Sequence, residues 1–282
     1  MPNALFLQII EDRLDALTKS EKKIANYILE NYMHVVDYNI TDLAELTQTS
    51  DASIIRFCRT FGCRGYQDFK MRLAREVVPS YKQYNPNLEK DDTVDTICHK
   101  VFSASISALQ ETQQMLNGES LMCAAQKLYA AKRIVITCSG NSLVVGQDLR
   151  IKMLKIGIRC SLDSDYDLQL MSVSSLSESD VVICISHTGS TKNLYELLRM
   201  AKKNRAYLIL ISTRLKTPIA QLADLVVAVC GKESMFHSES TSARMAEMAV
   251  IDSIMALVAK NHLGDYSGLL NKSRRATAKN KF

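Results

Sequence analysis

The sequence predicts an α/β protein in two parts: an all-helical N-terminal segment, then an αβα sandwich built on a parallel sheet. Three observations predict it. Residues 133–138, 180–186, 207–212 and 225–229 hold the runs IVIT, VVICIS, YLILIS and LVVAV, which lack the polar alternation of a half-exposed strand. Such strands need cover on both faces, the condition of a parallel sheet with helices on each side. Residues 1–78, by contrast, carry helical patterns alone, and residues 79–92 (PSYKQYNPNLEKDD) read as a linker of prolines and polar filler.

The elements follow in order. Thr18-Lys19-Ser20-Glu21 has the form of a capping box and opens a helix whose apolar face includes Ile24, Tyr27 and Ile28. A short helix over about 41–48, with Leu43, Ala44 and Leu46 apolar, leads into the polar run Thr47–Asp51. Ser50 or Asp51 caps the next helix, about 51–60, which carries Ile54, Ile55, Phe57 and Cys58. Gly62 and Gly65 bracket a break before a helix at about 66–77. Beyond the linker, helices at 93–116 and 120–131 precede the alternation. It runs strand 133–138, helix 142–156, strand 158–160, helix 166–176, strand 180–186 and helix 190–202. Strand 207–212, helix 217–223, strand 225–229 and a final helix at 240–262 complete it. The expected domains are 1–78 and 93–265, with 266–282 a basic tail.

Composition excludes several classes. With 282 residues, 47% hydrophobic and 23% charged, the chain can bury a sizeable core, and disorder is not indicated. The net charge of +5 matters only through its placement. Residues 52–75 hold Arg56, Arg59, Arg64, Lys70, Arg72 and Arg75 against Asp68 alone. The tail adds Lys272, Arg274, Arg275, Lys279 and Lys281, read as a solubilising frayed end, with a nucleic-acid contact the alternative. The eight cysteines (Cys58, Cys63, Cys98, Cys123, Cys138, Cys160, Cys184, Cys230) form no CxxC pair. His34, His99 and His262 show no ligand spacing, so neither a metal nor a cofactor is expected. No signal-peptide pattern opens the chain, and no apolar run approaches the roughly 18 residues of a membrane span. The expectation is a cytoplasmic protein with reduced thiols and no membrane partner.

The unit 41–60 is helix, short polar turn, helix, the helix-turn-helix arrangement whose second helix enters the major groove of DNA. Its exposed face would offer Ser50, Asp51, Ser53, Arg56 and Arg59. Hydroxyls and free amides at a helix start hold phosphate oxygens, and arginine reads guanine bidentately. Arg64 and Lys70, with Arg72 and Arg75, would flank the groove as phosphate contacts. A generic helical bundle with solvated arginines is the alternative reading.

Two strand ends carry hydroxyl and glycine clusters. Cys138-Ser139-Gly140-Asn141-Ser142 follows the first long strand, and Ser186-His187-Thr188-Gly189-Ser190-Thr191 follows the strand at 180–186. Open α/β sheets bind ligands beyond the carboxyl ends of their strands, and hydroxyls with free helix amides there make an anion nest. A phosphate monoester fits such a site without a cationic side chain. Neither GxGxxG nor GxxxxGK is present, which sets aside a dinucleotide fingerprint and a P-loop. In the loop 230–240, His237, Ser238, Glu239 and Ser240 are within reach of the pocket as ligand contacts, a helix cap or a general base.

These halves together resemble the RpiR family of bacterial transcriptional regulators, which join a helix-turn-helix domain to a sugar isomerase (SIS) domain. The likeness is carried by LTKSEKKIANYIL at 17–29, SDASIIRFCRTFGCRGYQDFKMRLA at 50–74 and CSGNSLVVGQDLRIKMLKIG at 138–157. VVICISHTGSTKNL at 181–194 and SARMAEMAVIDSI at 242–254 complete it. Within the family the sequence is most similar to HexR-like regulators of hexose catabolism. The resemblance implies that Ser142, Ser186, Thr188 and Thr191 surround a phosphate while Gly189 and Ser190 supply amides. It implies that Arg56 and its neighbours face operator DNA. It also implies a phosphorylated sugar or sugar-acid effector, 2-keto-3-deoxy-6-phosphogluconate among them, and a non-enzymatic role as a repressor. Cys138 stands where the family's turn has its first glycine, and the loop 231–244 departs from the HexR-like one. A phosphosugar isomerase with an accessory helical domain is the alternative function. Apolar faces on the helices 93–116 and 240–262 suggest a homodimer or a dimer of dimers.

Overall fold

The computed structural model describes residues 5–78, 82, 85, 87–231 and 241–278. The chain divides into two compact units, the first ending at Asp92 and the second beginning at Thr93.

The first unit is helical: α1 (Leu5–Asp12), α2 (Lys19–Val35), α3 (Ile40–Leu46), α4 (Asp51–Thr60) and α5 (Tyr66–Val77). The starts of α2, α3 and α4 are closed by local side chains. Thr18 and Glu21 form the expected capping box on α2, and Asn39 with Asp42 forms a second one on α3. Ser50 accepts from the Ser53 amide and caps α4. Phe6, Ile24, Ile28, Leu43, Ile54, Phe57 and Phe69 are fully buried, each contributing about 1.5–3 kcal/mol through removal from water. Phe6 and Phe57 pack on Phe69 with ring centroids 5.2 and 5.6 Å away. Both carboxylate oxygens of Glu76 accept the Phe6 amide, at 2.9 and 2.8 Å, which ties the start of α1 to α5. Leu46, expected on the apolar face of its helix, is instead largely exposed.

The second unit opens with α6 (Val94–Met115) and α7 (Gly118–Ala130). The alternation is β1 (Ile134–Cys138), α8 (Ser142–Lys155), β2 (Cys160–Leu162), α9 (Tyr166–Ser174) and β3 (Val181–Ile185). It continues with α10 (Lys192–Lys203), β4 (Tyr207–Ser212), α11 (Pro218–Leu222), β5 (Leu225–Ala228) and α12 (Thr241–Asn261). The sheet is parallel throughout, in the order β2-β1-β3-β4-β5. Alternate strand residues enter two cores. Ile134, Ile136, Ile183 and Ile209 pack under α7, α8 and α12, while Val135, Val182, Leu208 and Leu210 pack under α9, α10 and α11. The chain leaves β1 toward β2 and returns to the other side for β3, so the winding reverses between β1 and β3.

Two expectations about the ends need correction. Residues 266–282 are not simply a frayed tail: a helix, α13 (Leu263–Ala278), continues from α12. It is anchored by Leu269, which lies against Gly157 so closely that a Cβ there would meet the leucine Cδ1 at 2.4 Å. Gly157 itself has φ +80°, a conformation that suits glycine. Lys279 and Lys281 lie outside the described residues. The apolar residues of α12 (Ala246, Val250, Ile251, Ile254 and Val258) are consumed by the core, so of the two long helices α6 alone leaves a broad apolar face in solvent.

Candidate functional site

In the helix-turn-helix unit, Thr47 turns the chain after α3 by donating its hydroxyl to the Leu43 carbonyl at 2.7 Å. Gln48 adopts φ +53°, and Ser50 restarts the helix. Ser50, Asp51, Arg56 and Arg59 are exposed. Ser53 is not on that surface: it is 8% exposed, because its hydroxyl meets Ser50 Oγ at 3.0 Å and receives Arg56 Nη2 at 3.0 Å. The exposed face of α4 is therefore Ala52, Arg56 and Arg59, with Ile55 beside them. Ala52 and Ile55 escaped the sequence reading, which sought polar groups only. Arg64 is exposed and held by Asp68. Lys70 is also withdrawn from the surface, since its ammonium donates to the Tyr38 carbonyl inside the domain. Burial accordingly holds its pKa below the usual lysine range, against the pull of Asp37 and Asp42. Arg72 lies over the Phe6 ring at 4.1 Å and donates to the Phe61 carbonyl, so it serves packing.

At the reversal point of the sheet the two hydroxyl clusters are neighbours. Cys138 pairs with Ile185 at the last register position, so Ser139 and Ser186 leave adjacent strand ends. Ser142 and Ser186 are nearly buried, Thr188 and Thr191 are partly exposed, and Ser139, Asn141 and Ser190 are exposed. The carbonyl of His187 accepts from Ser212 Oγ at 3.0 Å and Thr213 Oγ1 at 2.8 Å, which fixes the second turn to the end of β4. Gly189 sits at φ +60°, and a Cβ there would lie 2.4 Å from Thr217 Oγ1. Only glycine satisfies both conditions.

The helix starts at these turns differ from most others. Asn141 before α8 and Thr191 before α10 make no side-chain capping bond, whereas α2, α3, α4, α6, α7, α9 and α11 are capped by a side chain. At α8 the Leu143 and Val144 amides turn back on the Gly140 and Asn141 carbonyls, each at 3.2 Å, so that start offers an anion the positive end of the helix dipole more than free amides. The assignment of donors shifts, however. The amides of Gly189 and Ser190 are spent within the turn, on the Ser186 carbonyl at 3.2 Å and Thr188 Oγ1 at 3.3 Å. The first amide of α10 with a backbone acceptor is that of Tyr195, which leaves those of Lys192, Asn193 and Leu194 at the open end.

Cys138 does not obstruct the turn. Its thiol points under α8, where Gly146 makes room: a Cβ on Gly146 would lie 2.8 Å from the sulfur. Burial, with Cys184 and Glu247 nearby, pushes that thiol up to about 12, so it stays un-ionised. His187 and Glu247 are both buried, with Nδ1 and Oε1 3.7 Å apart. Glu247 was missed in the sequence, although a carboxylate in helical register with Ala243, Val250 and Ile254 was a signal. His237, Ser238, Glu239 and Ser240 lie outside the described residues.

A cavity of about 420 Å³ opens at the opposite, amino end of β3 and β4. Both of its aspartates are engaged. Asp180 takes Arg133 at 2.8 Å and the Ser177 amide at 2.8 Å, and Asp224 takes Lys202 and the Leu208 amide. The hydroxyl turns lie at the opposite, carboxyl end, where open α/β sheets take their ligands, and that end is the candidate site. Among the described residues no group of His, Cys, Asp and Glu is arranged to hold a metal, and no helix is long and apolar enough to cross a membrane.

A helix-turn-helix unit followed by a doubly wound parallel sheet is the architecture of a DNA-binding domain joined to an α/β domain. Residues 4–80 match the helix-turn-helix domain of the rpiR family, and residues 127–257 match the SIS domain. An uncharacterised helix-turn-helix transcriptional regulator of Caldanaerobacter subterraneus subsp. tengcongensis is 34% identical, with 92% of each chain covered. The regulator HexR of Escherichia coli is 32% identical over 87% of this chain and 85% of its own. The fold is shared with Vibrio vulnificus NanR, solved in complex with ManNAc-6P (TM-score 0.68, 24% identity, 98% and 99% covered). The chain belongs to the RpiR family of helix-turn-helix transcriptional regulators.

Proposed function

We propose that this chain is a cytoplasmic repressor of carbohydrate-metabolism genes whose operator affinity is set by a phosphorylated sugar or sugar acid bound between the ends of β1 and β3. The observation that carries the reading is the pair of uncapped helix starts, α8 and α10, beside hydroxyl-rich turns at the reversal point of the sheet. NanR, of the same fold, was solved with a phosphorylated sugar derivative, which supports the same ligand class here. The likeness to HexR makes 2-keto-3-deoxy-6-phosphogluconate the first sugar acid to try. Arg56 and Arg59 are the proposed base- and phosphate-contacting residues, with Ser50, Asp51 and Arg64 at the edges.

The exposed face of α6 supports a homodimer, itself able to pair into a dimer of dimers. Val94, Ile97, Val101, Phe102, Ile106 and Leu109 recur at helical spacing and remain 37–77% exposed. A two-fold dimer would match a pseudopalindromic operator. Ligand binding would favour one arrangement of the subunits and so reset the spacing of the two α4 helices.

Electrophoretic mobility of an operator fragment, with and without a panel of phosphorylated sugars, tests the reading. Release of DNA by a phosphorylated compound, and not by its unphosphorylated parent, is the expected result. A panel that leaves operator binding unmoved, together with no thermal shift on any phosphorylated compound, overturns it.

A further inference from the structure

Beneath the two hydroxyl turns lie two buried acceptors that the phosphate nest does not use. Glu247, on the core side of α12, is 2% exposed, and its Oε1 has no hydrogen-bond partner among the described residues. His187 Nδ1 stands 3.7 Å from that oxygen, beyond hydrogen-bond length. His187 follows β3 by two residues, which places the carboxylate beneath the turn after β3. Gln169, on α9, is 3% exposed and donates Nε2 to the Cys138 carbonyl at 3.1 Å. That bond fixes the orientation of the amide, because a carbonyl accepts and does not donate. Gln169 Oε1 is then left without a partner, at the end of β1.

A buried acceptor without a donor is costly, on the order of 1–3 kcal/mol, and more when it is charged. One lies beneath the end of β1 and the other beneath the turn after the neighbouring β3, and each asks for a hydroxyl or N–H donor. A second carboxylate brought beside Glu247 would meet another acceptor in place of a donor, which disfavours it. We infer that Glu247, with Gln169, selects a phosphorylated sugar presenting hydroxyl or N–H donors beside the phosphate, and rejects a phosphorylated sugar acid. The inference rests on the phosphosugar reading above and narrows its ligand class.

Isothermal titration calorimetry on the full chain tests it with inorganic phosphate and two matched pairs. Glucitol 6-phosphate against 6-phosphogluconate, and ribitol 5-phosphate against 5-phosphoribonate, differ only by a terminal carboxylate. The wild type is expected to prefer the neutral member of each pair by at least about tenfold, and Glu247→Gln to bring the two within about threefold, because an amide can donate to the acid. Glu247→Asp, which keeps the charge, is expected to keep the preference. Inorganic phosphate should bind wild type and Glu247→Gln alike, which separates lost selectivity from misfolding. Equal affinity for both members in the wild type, or a ratio that Glu247→Gln leaves unmoved, overturns the inference alone. Failure of every phosphorylated probe to bind overturns the phosphosugar reading and this inference with it.

Discussion

Around α4, helix starts are closed by their own side chains, and charge is displayed on arginines in open solvent. At the ends of β1 and β3 the caps are missing, and the polar groups on offer are hydroxyls and amides, several nearly buried. Both regions suit phosphate, but by different physics. Exposed cations act on a polyanion through released counterions, so their binding is strong and salt-sensitive. Sheltered dipoles act on one phosphate at close range, where geometry decides and salt matters little. The same chemical group can thus serve as a track in one unit and as a signal in the other.

The largest expected contrast is with salt. Between 50 and 200 mM, operator affinity of a dimer making at least six phosphate contacts should fall about 10³-fold, while sugar-phosphate affinity changes only a few-fold. Parallel anisotropy and calorimetry series would show it; equal slopes would erase the distinction. Next in size, Arg56→Ala and Arg59→Ala should each cost about 1–3 kcal/mol of operator binding. Sugar-phosphate affinity should stay unchanged, and an unaltered operator affinity would remove the residue from the DNA face. Gly189→Ala forces a left-handed alanine onto Thr217 and should lower stability by about 1–3 kcal/mol, read as a lower midpoint in urea, with loss of the ligand response. A normal midpoint and response would show that the turn relaxes. The smallest effect is expected from Lys70→Met, which should leave operator affinity within about twofold, since its ammonium is spent on Tyr38. A tenfold loss would return Lys70 to the DNA surface.

The two regions also differed in how far the sequence revealed them. The strands and their carboxyl-end turns were legible because apolar runs and glycine–hydroxyl clusters are local signals. The helix-turn-helix was legible in its boundaries, less so in its faces. Ser53 and Arg56 do share a side, as their three-residue spacing implied, but the exposed arginine folds back on a serine that is itself buried. Lys70 was misread because its acceptor, the Tyr38 carbonyl, is 32 residues away. The helix α13 was missed for the same kind of reason. Its own pattern is weak, and what anchors it is a glycine far back in the chain, Gly157. Glu247 was present as a polar residue on a core register, yet its meaning depends on where β1 and β3 end.

Under the proposed function, phosphate held between β1 and β3 controls the grip of α4 on DNA. The direct measurement is anisotropy of a labelled operator bound to the full chain, titrated with the best-binding sugar phosphate, for wild type and for Ser186→Ala/Thr188→Ala. Wild type is expected to release DNA at ligand concentrations that leave the double variant bound, with equal operator affinity in the absence of ligand. Release of both proteins at the same concentration would contradict it.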